Sequence, residues 1–164
     1  MAKRLQNKMM VMVMSVLFLV GARGGQTEEM NIERSDGKCT IIIATVKGRS
    51  SEFKEAVIHG LVERYQDTCT LEVMHVSKGE QLTSKRYDVV VLVDKCVANM
   101  RLNGTVKTII DEVEQENIVL FVTASNPNYE YTYGGIDAIT SASKKEKEQE
   151  VIQEIADSID ELLR

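Results

Sequence analysis

The chain has 164 residues and a mass of 18.4 kDa, a length that suits one domain. Its 43% apolar and 27% charged residues are ordinary for a globular protein and exclude a disordered, collagen-like or coiled-coil chain. The first 24 residues carry four of the 20 basic residues and no acidic residue, so the remainder has 16 basic against 25 acidic residues, a net charge of −9. A surface this acidic repels phosphate backbones, which excludes a general nucleic-acid partner.

The N-terminal segment has the pattern of a targeting signal. Three basic residues precede an uncharged, mostly apolar stretch at residues 9–20, which is too short for the roughly 20 residues that usually span a bilayer. We therefore predict a signal peptide over residues 1–24, cleaved near Ala22 to Gly25, and export to the periplasm or outside the cell. An uncleaved membrane anchor is the alternative, and it is the only membrane contact that the sequence indicates.

The folded domain is expected over residues 38–164, after a polar segment at 25–37 that we predict to be a flexible tether. Residues 40–44 are a β-branched run typical of a strand buried on both faces. Residues 52–65 follow with apolar side chains at helical spacing, which predicts the first helix.

The rest of the domain continues the alternation of strands and helices. Further strands are predicted at residues 69–76, 87–93, 117–122 and 135–140. A helix is predicted over 104–116, and a last helix begins at a capping box formed by Ser143 and Glu146. The pattern predicts an α/β three-layer sandwich around a five-stranded parallel sheet.

Right-handed connections favour the strand order 2-1-3-4-5 for this sheet. Its second and fourth connections, residues 77–86 and 125–134, are too short for a full crossover helix. Both lie on the same face as the helix over 104–116, so that face is expected to be under-covered. An exposed apolar face normally meets a partner, which predicts a homodimer through it.

Residues 45–50, with the sequence TVKGRS, resemble the flavodoxin phosphate loop T-x-T-G-x-T. Residues 93–110 resemble the segment after the third strand of flavodoxin-like proteins, and the resemblance in element order extends over 38–164. It implies a flavodoxin-like fold that binds FMN and either carries electrons or reduces a small acceptor as an oxidoreductase. The alternative is a flavodoxin-fold binding or assembly module that has lost the cofactor.

The resemblance places the FMN phosphate at the turn between the first strand and the first helix. The residues assigned to it are Thr45, Lys47, Gly48, Arg49 and Ser50. Unpaired N–H groups at a helix start bind anions, and the two hydroxyls and two cations add donors and charge. The alternative interpretation is a polar strand-to-helix turn that contains a glycine.

Flavin binding in this family also needs two walls around the ring, from the loops after the third and fourth strands. The first wall is poor, because Ala98 stands where an aromatic residue often lies and only Met100 is bulky. The second loop contains Tyr129, Tyr131 and Tyr133, whose rings could stack on a flat ligand. Alternatively, these tyrosines pack over the exposed edge of the sheet.

Two of the three cysteines, Cys39 and Cys69, open the first and second predicted strands. These strands are parallel neighbours about 4.8 Å apart in the order 2-1-3-4-5, which predicts a disulfide in an exported protein. Cys96 would lie at the opposite end of the sheet, as a small buried hydrophobe or as a thiol beside the ligand site.

The sequence offers little for a metal site or for phosphotransfer. His59 and His75 are far apart and lack acidic or cysteine neighbours at ligand spacing. Asp94 and Thr123 end the third and fourth strands as in phospho-acceptor receiver domains, but the first strand is not followed by the acids that hold Mg²⁺ there. We therefore expect neither a metal site nor receiver chemistry.

Overall fold

The structure, a computed structural model, describes residues 27–34, 38–46, 51–95, 102–124, 128 and 130–164. The strands are β1 (Met30–Ile32), β2 (Thr40–Val46), β3 (Thr70–Val76), β4 (Val89–Lys95), β5 (Ile118–Thr123), β6 (Thr132–Tyr133), β7 (Ile136–Asp137) and β8 (Ile139–Ser141). The helices are α1 (Glu52–Tyr65), α2 (Glu80–Thr83), α3 (Gly104–Glu112) and α4 (Glu148–Leu162), with 3₁₀ turns at Gln115–Asn117 and Lys145–Lys147.

Six strands form the central sheet in the order β1-β3-β2-β4-β5-β8. All but β1 are parallel to their neighbours, and the five parallel strands have the predicted order 2-1-3-4-5. The α/β class is therefore confirmed. The two short connections are also as expected, because one holds only the single turn α2 and the other the hairpin β6–β7.

The edge strand β1 corrects the prediction of a flexible tether. Met30 pairs with Val73 and Ile32 with Leu71, antiparallel to β3, and both apolar side chains pack against the core. The tether prediction is thus wrong for residues 30–32. A strand of three residues is too short to show the alternation by which strands are recognised.

Two boundaries near the C-terminus also differ from the sequence prediction. The strand expected at 135–140 is divided, because β7 pairs with β6 whereas β8 pairs with β5. Gly134 and Gly135, at φ 61° and 83°, form the tight turn between β6 and β7. The capping box does not form. Instead α4 follows a 3₁₀ turn, and Lys147 precedes it without a side-chain cap and pairs with Glu150 at 2.6 Å.

Helices α1 and α4 cover one face of the sheet. The ring of Phe53 lies 6.5 Å from that of Phe121 on β5, centroid to centroid. The hydroxyl of Tyr65 donates to the Ala156 carbonyl at 3.1 Å and to Asp160 at 2.6 Å, which fastens the end of α1 to α4. This packing fixes where α1 begins relative to the ends of the strands.

The opposite face is covered by α2, α3 and the hairpin, so the prediction of an under-covered face is wrong. The apolar strand residues on this face are buried beneath Leu82 of α2, Ile109 and Ile110 of α3, and Tyr131. The hairpin fills the place of the missing helix, which the length of its connection could not show. The homodimer stays a prediction, without this face to support it.

A disulfide joins Cys39 and Cys69 across the amino ends of β2 and β3, with their Cα atoms 4.7 Å apart. The backbone N–H of Thr70 donates to the Cys39 carbonyl at 2.8 Å, so the bridge continues the ladder between the two strands. In the part of the chain described above, no helix has the length and apolar character needed to cross a membrane.

Candidate functional site at the carboxyl edge of the sheet

The carboxyl edge, defined by the last two residues of each parallel strand, gathers the polar groups that this fold buries. Among the described residues, six polar or charged side chains are buried: Thr27, Thr45, Lys54, Asp94, Thr123 and Ser141. Four of them end parallel strands, Lys54 lies in the first turn of α1, and the carbonyl of Thr27 contacts the end of β3. Burial of polar groups costs free energy, so their concentration at one edge marks a candidate site.

This edge includes the point at which the strand order reverses. The connection after β2 leads to β3 on one side, whereas the chain after β4 continues to β5 on the other. In open α/β sheets, a point at which the strand order reverses is where ligands bind. Thr45 on β2 pairs with Val93 on β4, and Val46 and Asp94 each follow that last pair of the register.

Asp94 is the least satisfied of these groups. Only 4% of the surface of Asp94 is exposed. The backbone N–H groups of Lys95 and Asn103 donate to its carboxylate. Its Oδ2 atom is buried and has no hydrogen-bond partner. Burial raises the pKa of Asp94, an effect that the two backbone hydrogen bonds and the charge of Lys54 oppose.

Lys54 is the buried cation of the site. It lies one residue after Phe53, whose packing on Phe121 fixes the first turn of α1. Burial lowers the pKa of Lys54, and the attraction of Asp94 opposes that effect. Burial therefore pushes both members of this pair toward their neutral forms, which is characteristic of groups that hold or move a proton in a cleft.

A second polar chain connects β2 and β3 to Thr27, which precedes β1. The Nε2 atom of His75 lies 2.8 Å from the Thr27 carbonyl, and its Nδ1 atom lies 2.6 Å from the Thr45 hydroxyl oxygen. Because a carbonyl only accepts, Nε2 carries the donated proton, and in the neutral ring Nδ1 accepts from Thr45. A phosphate contact by Thr45, as predicted, would have to replace its bond to His75.

Helix α1 begins with a side-chain cap. Ser51 is the N-cap, and its hydroxyl oxygen accepts from the backbone N–H of Lys54 at 3.3 Å. Glu52 and Glu55 in the first turn interact favourably with the helix dipole and weaken the attraction for an anion. Seven predicted site residues lie outside the described residues: Lys47, Gly48, Arg49, Ser50, Ala98, Met100 and Tyr129.

Tyr131 and Tyr133, predicted to form a wall for a flavin ring, both contact α3 or the core beneath it in the structure. Tyr131 is 5% exposed and packs into the core under α3. The hydroxyl of Tyr133 donates to Asp111 at 2.9 Å, and its ring lies 5.0 Å from the Nζ atom of Lys107. The hairpin lies along α3, so these tyrosines cover a face of the sheet rather than its exposed edge.

Sequence reasoning missed Lys54 and the role of His75. Lys54 precedes Ile58 by four residues and therefore lies on the buried stripe of α1, a signal that helical periodicity could have revealed. His75 could not be assigned, because its partner Thr27 belongs to the segment taken for a tether.

Comparison with known proteins shows a structural likeness. No protein-family model matches the chain, and no curated protein matches it. Among solved structures, the chain is similar to oxidised flavodoxin 2 from Bacillus cereus, with 16% sequence identity and a TM-score of 0.47. The likeness covers 74% of this chain and 98% of that one.

Proposed function

We propose that this flavodoxin-like domain binds FMN at the carboxyl edge and serves in electron transfer or in the reduction of a small acceptor. The observation that carries the proposal is the unpartnered Oδ2 atom of buried Asp94 beside the point where the strand order reverses. A buried acceptor without a partner fits a polar ligand that supplies the missing hydrogen bond.

In this proposal, residues 45–50 and the first turn of α1 hold the phosphate. Lys47 and Arg49 supply positive charge, and Gly48 allows the backbone to turn closely around the anion. FMN, when bound, supplies the electron chemistry. The protein orients it, keeps water from the buried edge, and offers Lys54 and Asp94 as groups between which a proton can be held.

A second candidate function is a flavodoxin-fold binding or assembly module without a cofactor. It is favoured by the positions of Tyr131 and Tyr133, which pack on the α3 side of the sheet, and by the engagement of the Thr45 hydroxyl with His75. In this alternative the buried polar groups at the carboxyl edge would serve another ligand or only the fold.

Absorbance and a binding titration distinguish the two functions. FMN should bind the purified protein, and its fluorescence should be quenched on binding. The double variant Lys47→Glu with Arg49→Glu should bind FMN more than tenfold more weakly, a loss of about 1.4 kcal/mol in binding free energy. The matched control is Lys38→Glu with Arg86→Glu, two exposed cations near the amino ends of β2 and β4, which should leave the affinity unchanged. Absence of flavin absorbance and of any FMN binding would favour the module.

A further inference from the structure

We infer that the open edge beside the amino half of β5 binds an extended peptide segment that carries a basic side chain. The site is a cavity of about 160 Å³ between residues 118–120, the end of α4 and strand β7. It lies at the opposite end of β5 from the carboxyl edge. The inference therefore goes beyond the proposed function and does not depend on it.

Strand β5 is paired along only half of its outer side. Its partner β8 begins at Ile139, opposite Phe121, and no strand of the described ranges pairs with residues 118–120 on that side. The chain leaves the line of the sheet just before β8, because the N–H of Ala138 donates to the Tyr131 carbonyl at 2.8 Å. The hairpin thus leaves a gap in the sheet beside the first residues of β5.

The direction of the backbone groups along this gap follows from the pairing with β8. The N–H of Ala124 donates to the Ser141 carbonyl of β8 at 2.9 Å. Backbone groups of successive residues in a strand point to alternate sides, and the register of β5 with β4 is continuous. The N–H and C=O groups of Leu120 and Ile118 therefore face the same side as those of Ala124, which is the side of the gap.

The carbonyl of Ile118 and the N–H of Leu120 are the groups that remain for a ligand. The N–H of Ile118 donates to the Gln115 carbonyl, and the pairing of Phe121 with Ile139 engages the carbonyl of Leu120. In a parallel ladder, one partner residue bonds to both of the remaining groups. Only 1% of the surface of Leu120 is exposed, so a peptide carbonyl in the cavity would satisfy its N–H better than bulk water does.

The walls of the cavity favour a basic side chain. Of the described residues that line it, only Asp137 on β7 and Glu161 on α4 are charged, and neither forms a salt bridge within the described ranges. Leu162 lies beside them and is the only large apolar side chain among the described residues that is exposed, at 39%. A lysine or arginine side chain can pack its apolar stem on such a surface and place its charge near the carboxylates.

The size of the cavity limits the ligand to a short segment. Its volume is close to that of a protein cavity of roughly 150 Å³ that holds one benzene molecule. The cavity therefore accommodates one side chain, together with a backbone that pairs with β5 opposite Val119. Addition of an extended segment to a sheet edge is a known mode of peptide recognition, in which the backbone provides affinity and the side-chain pocket provides specificity.

An NMR titration of the isotope-labelled protein with short peptides tests the inference. The probe is a five-residue peptide, acetylated and amidated at its ends, with a central lysine between valines. It should shift the amide signal of Leu120 and bind at least about tenfold more tightly than the same peptide with a central glutamate. Methylation of the central backbone nitrogen removes the donor to Ile118 and should weaken binding about fivefold.

Charge reversal tests the walls of the cavity. The double variant Asp137→Lys with Glu161→Lys should bind the lysine peptide at least about tenfold more weakly than the wild type. The matched control is Glu154→Lys with Asp157→Lys, two exposed acidic residues of α4 that do not line the cavity. The control changes the net charge equally, but at physiological ionic strength it should alter the affinity less than about twofold, because distant charges are screened.

Three results would overturn the inference. They are an unshifted Leu120 amide at millimolar peptide, equal affinity for the lysine and glutamate peptides, and equal losses in the two charge-reversal variants. Butylamine is a further probe, and if it shifts Leu120 as the lysine peptide does, the cavity binds a small cation and the peptide inference fails. FMN should not compete with the peptide, so a protein that binds the peptide but no flavin would refute only the proposed function.

Discussion

At the scale of single residues, the buried pair of Asp94 and Lys54 is the feature that packing alone does not require. The other buried side chains among the described residues are apolar or carry only a hydroxyl, whereas here two ionisable groups share a buried edge. Burial of these two groups lowers the stability of the fold unless a partner compensates for it. Sites that bind ligands commonly keep such destabilising groups.

This pair predicts a pH dependence of stability. Because burial raises the pKa of Asp94, the folded state binds this proton more tightly than the unfolded state, where the value is near 3.8. The contribution of Asp94 to stability is complete below that value and is lost as the pH rises through the folded pKa. Relative to Asp94→Asn, the wild type should therefore lose free energy of unfolding as the pH rises from about 4 toward neutrality.

Urea denaturation of both proteins at a series of pH values measures this difference. Lys54 faces Asp94, so the variant Lys54→Met should enlarge the loss by removing the charge that favours ionised Asp94. Parallel stability curves for the wild type and Asp94→Asn would show that Asp94 titrates alike in the folded and unfolded states.

At the scale of elements, the sequence predicted the strands and helices that are long enough to show a hydrophobic pattern. Strands β2, β4 and β5 are continuous apolar runs because both of their faces are buried, and α1 has helical spacing because one stripe of it is buried. The structure has these four elements at nearly the predicted bounds. The disagreements concern short elements. Strand β1 and the hairpin β6–β7 have two or three residues per strand, and their pairing depends on tertiary contacts.

The candidate site was predictable only in part for the same reason. Asp94 could be located because it follows an apolar run, which sets its place at the end of a strand. The bond between Thr45 and His75 depends on the register of β2 with β3, and the position of Tyr131 depends on how the hairpin folds. Neither register nor hairpin packing is visible in the local sequence.

The turn of the hairpin predicts that adding one methyl group at Gly134 destabilises the protein. Gly134 has φ 61°, and a Cβ atom there would lie 3.0 Å from Nε2 of Gln115 and 3.2 Å from Cγ2 of Ile110. Gly134→Ala should therefore destabilise the protein by about 1–2 kcal/mol, the usual cost of a left-handed conformation.

The matched control is Gly104→Ala at the first residue of α3, where an added Cβ would meet nothing within 4 Å. It should be neutral or stabilise by about 0.5 kcal/mol, because alanine favours helix more than glycine does. Thermal unfolding measures both variants, and equal melting temperatures would contradict the described packing of the hairpin on α3.

At the scale of the whole molecule, the disulfide ties the amino ends of two neighbouring strands and closes a loop of 30 residues. Loop-closure entropy predicts that the bond stabilises the protein by roughly 3 to 4 kcal/mol. Reduction should therefore lower the melting temperature, and the double variant Cys39→Ser with Cys69→Ser should match the reduced wild type. Mass spectrometry of unreduced peptides should find the Cys39–Cys69 link, whereas a link from either residue to Cys96 would contradict the strand order.

The carboxyl edge, where we propose that FMN binds, lies opposite the amino edge that carries the disulfide, and an NMR titration of the labelled protein with FMN can distinguish the two edges residue by residue. FMN should shift the amide signals of Lys95, Asn103 and Thr123 at the carboxyl edge and leave those of Thr40 and Asp88 at the amino edge in place. Shifts confined to the amino edge, or no shifts at millimolar FMN, would contradict FMN binding at the carboxyl edge.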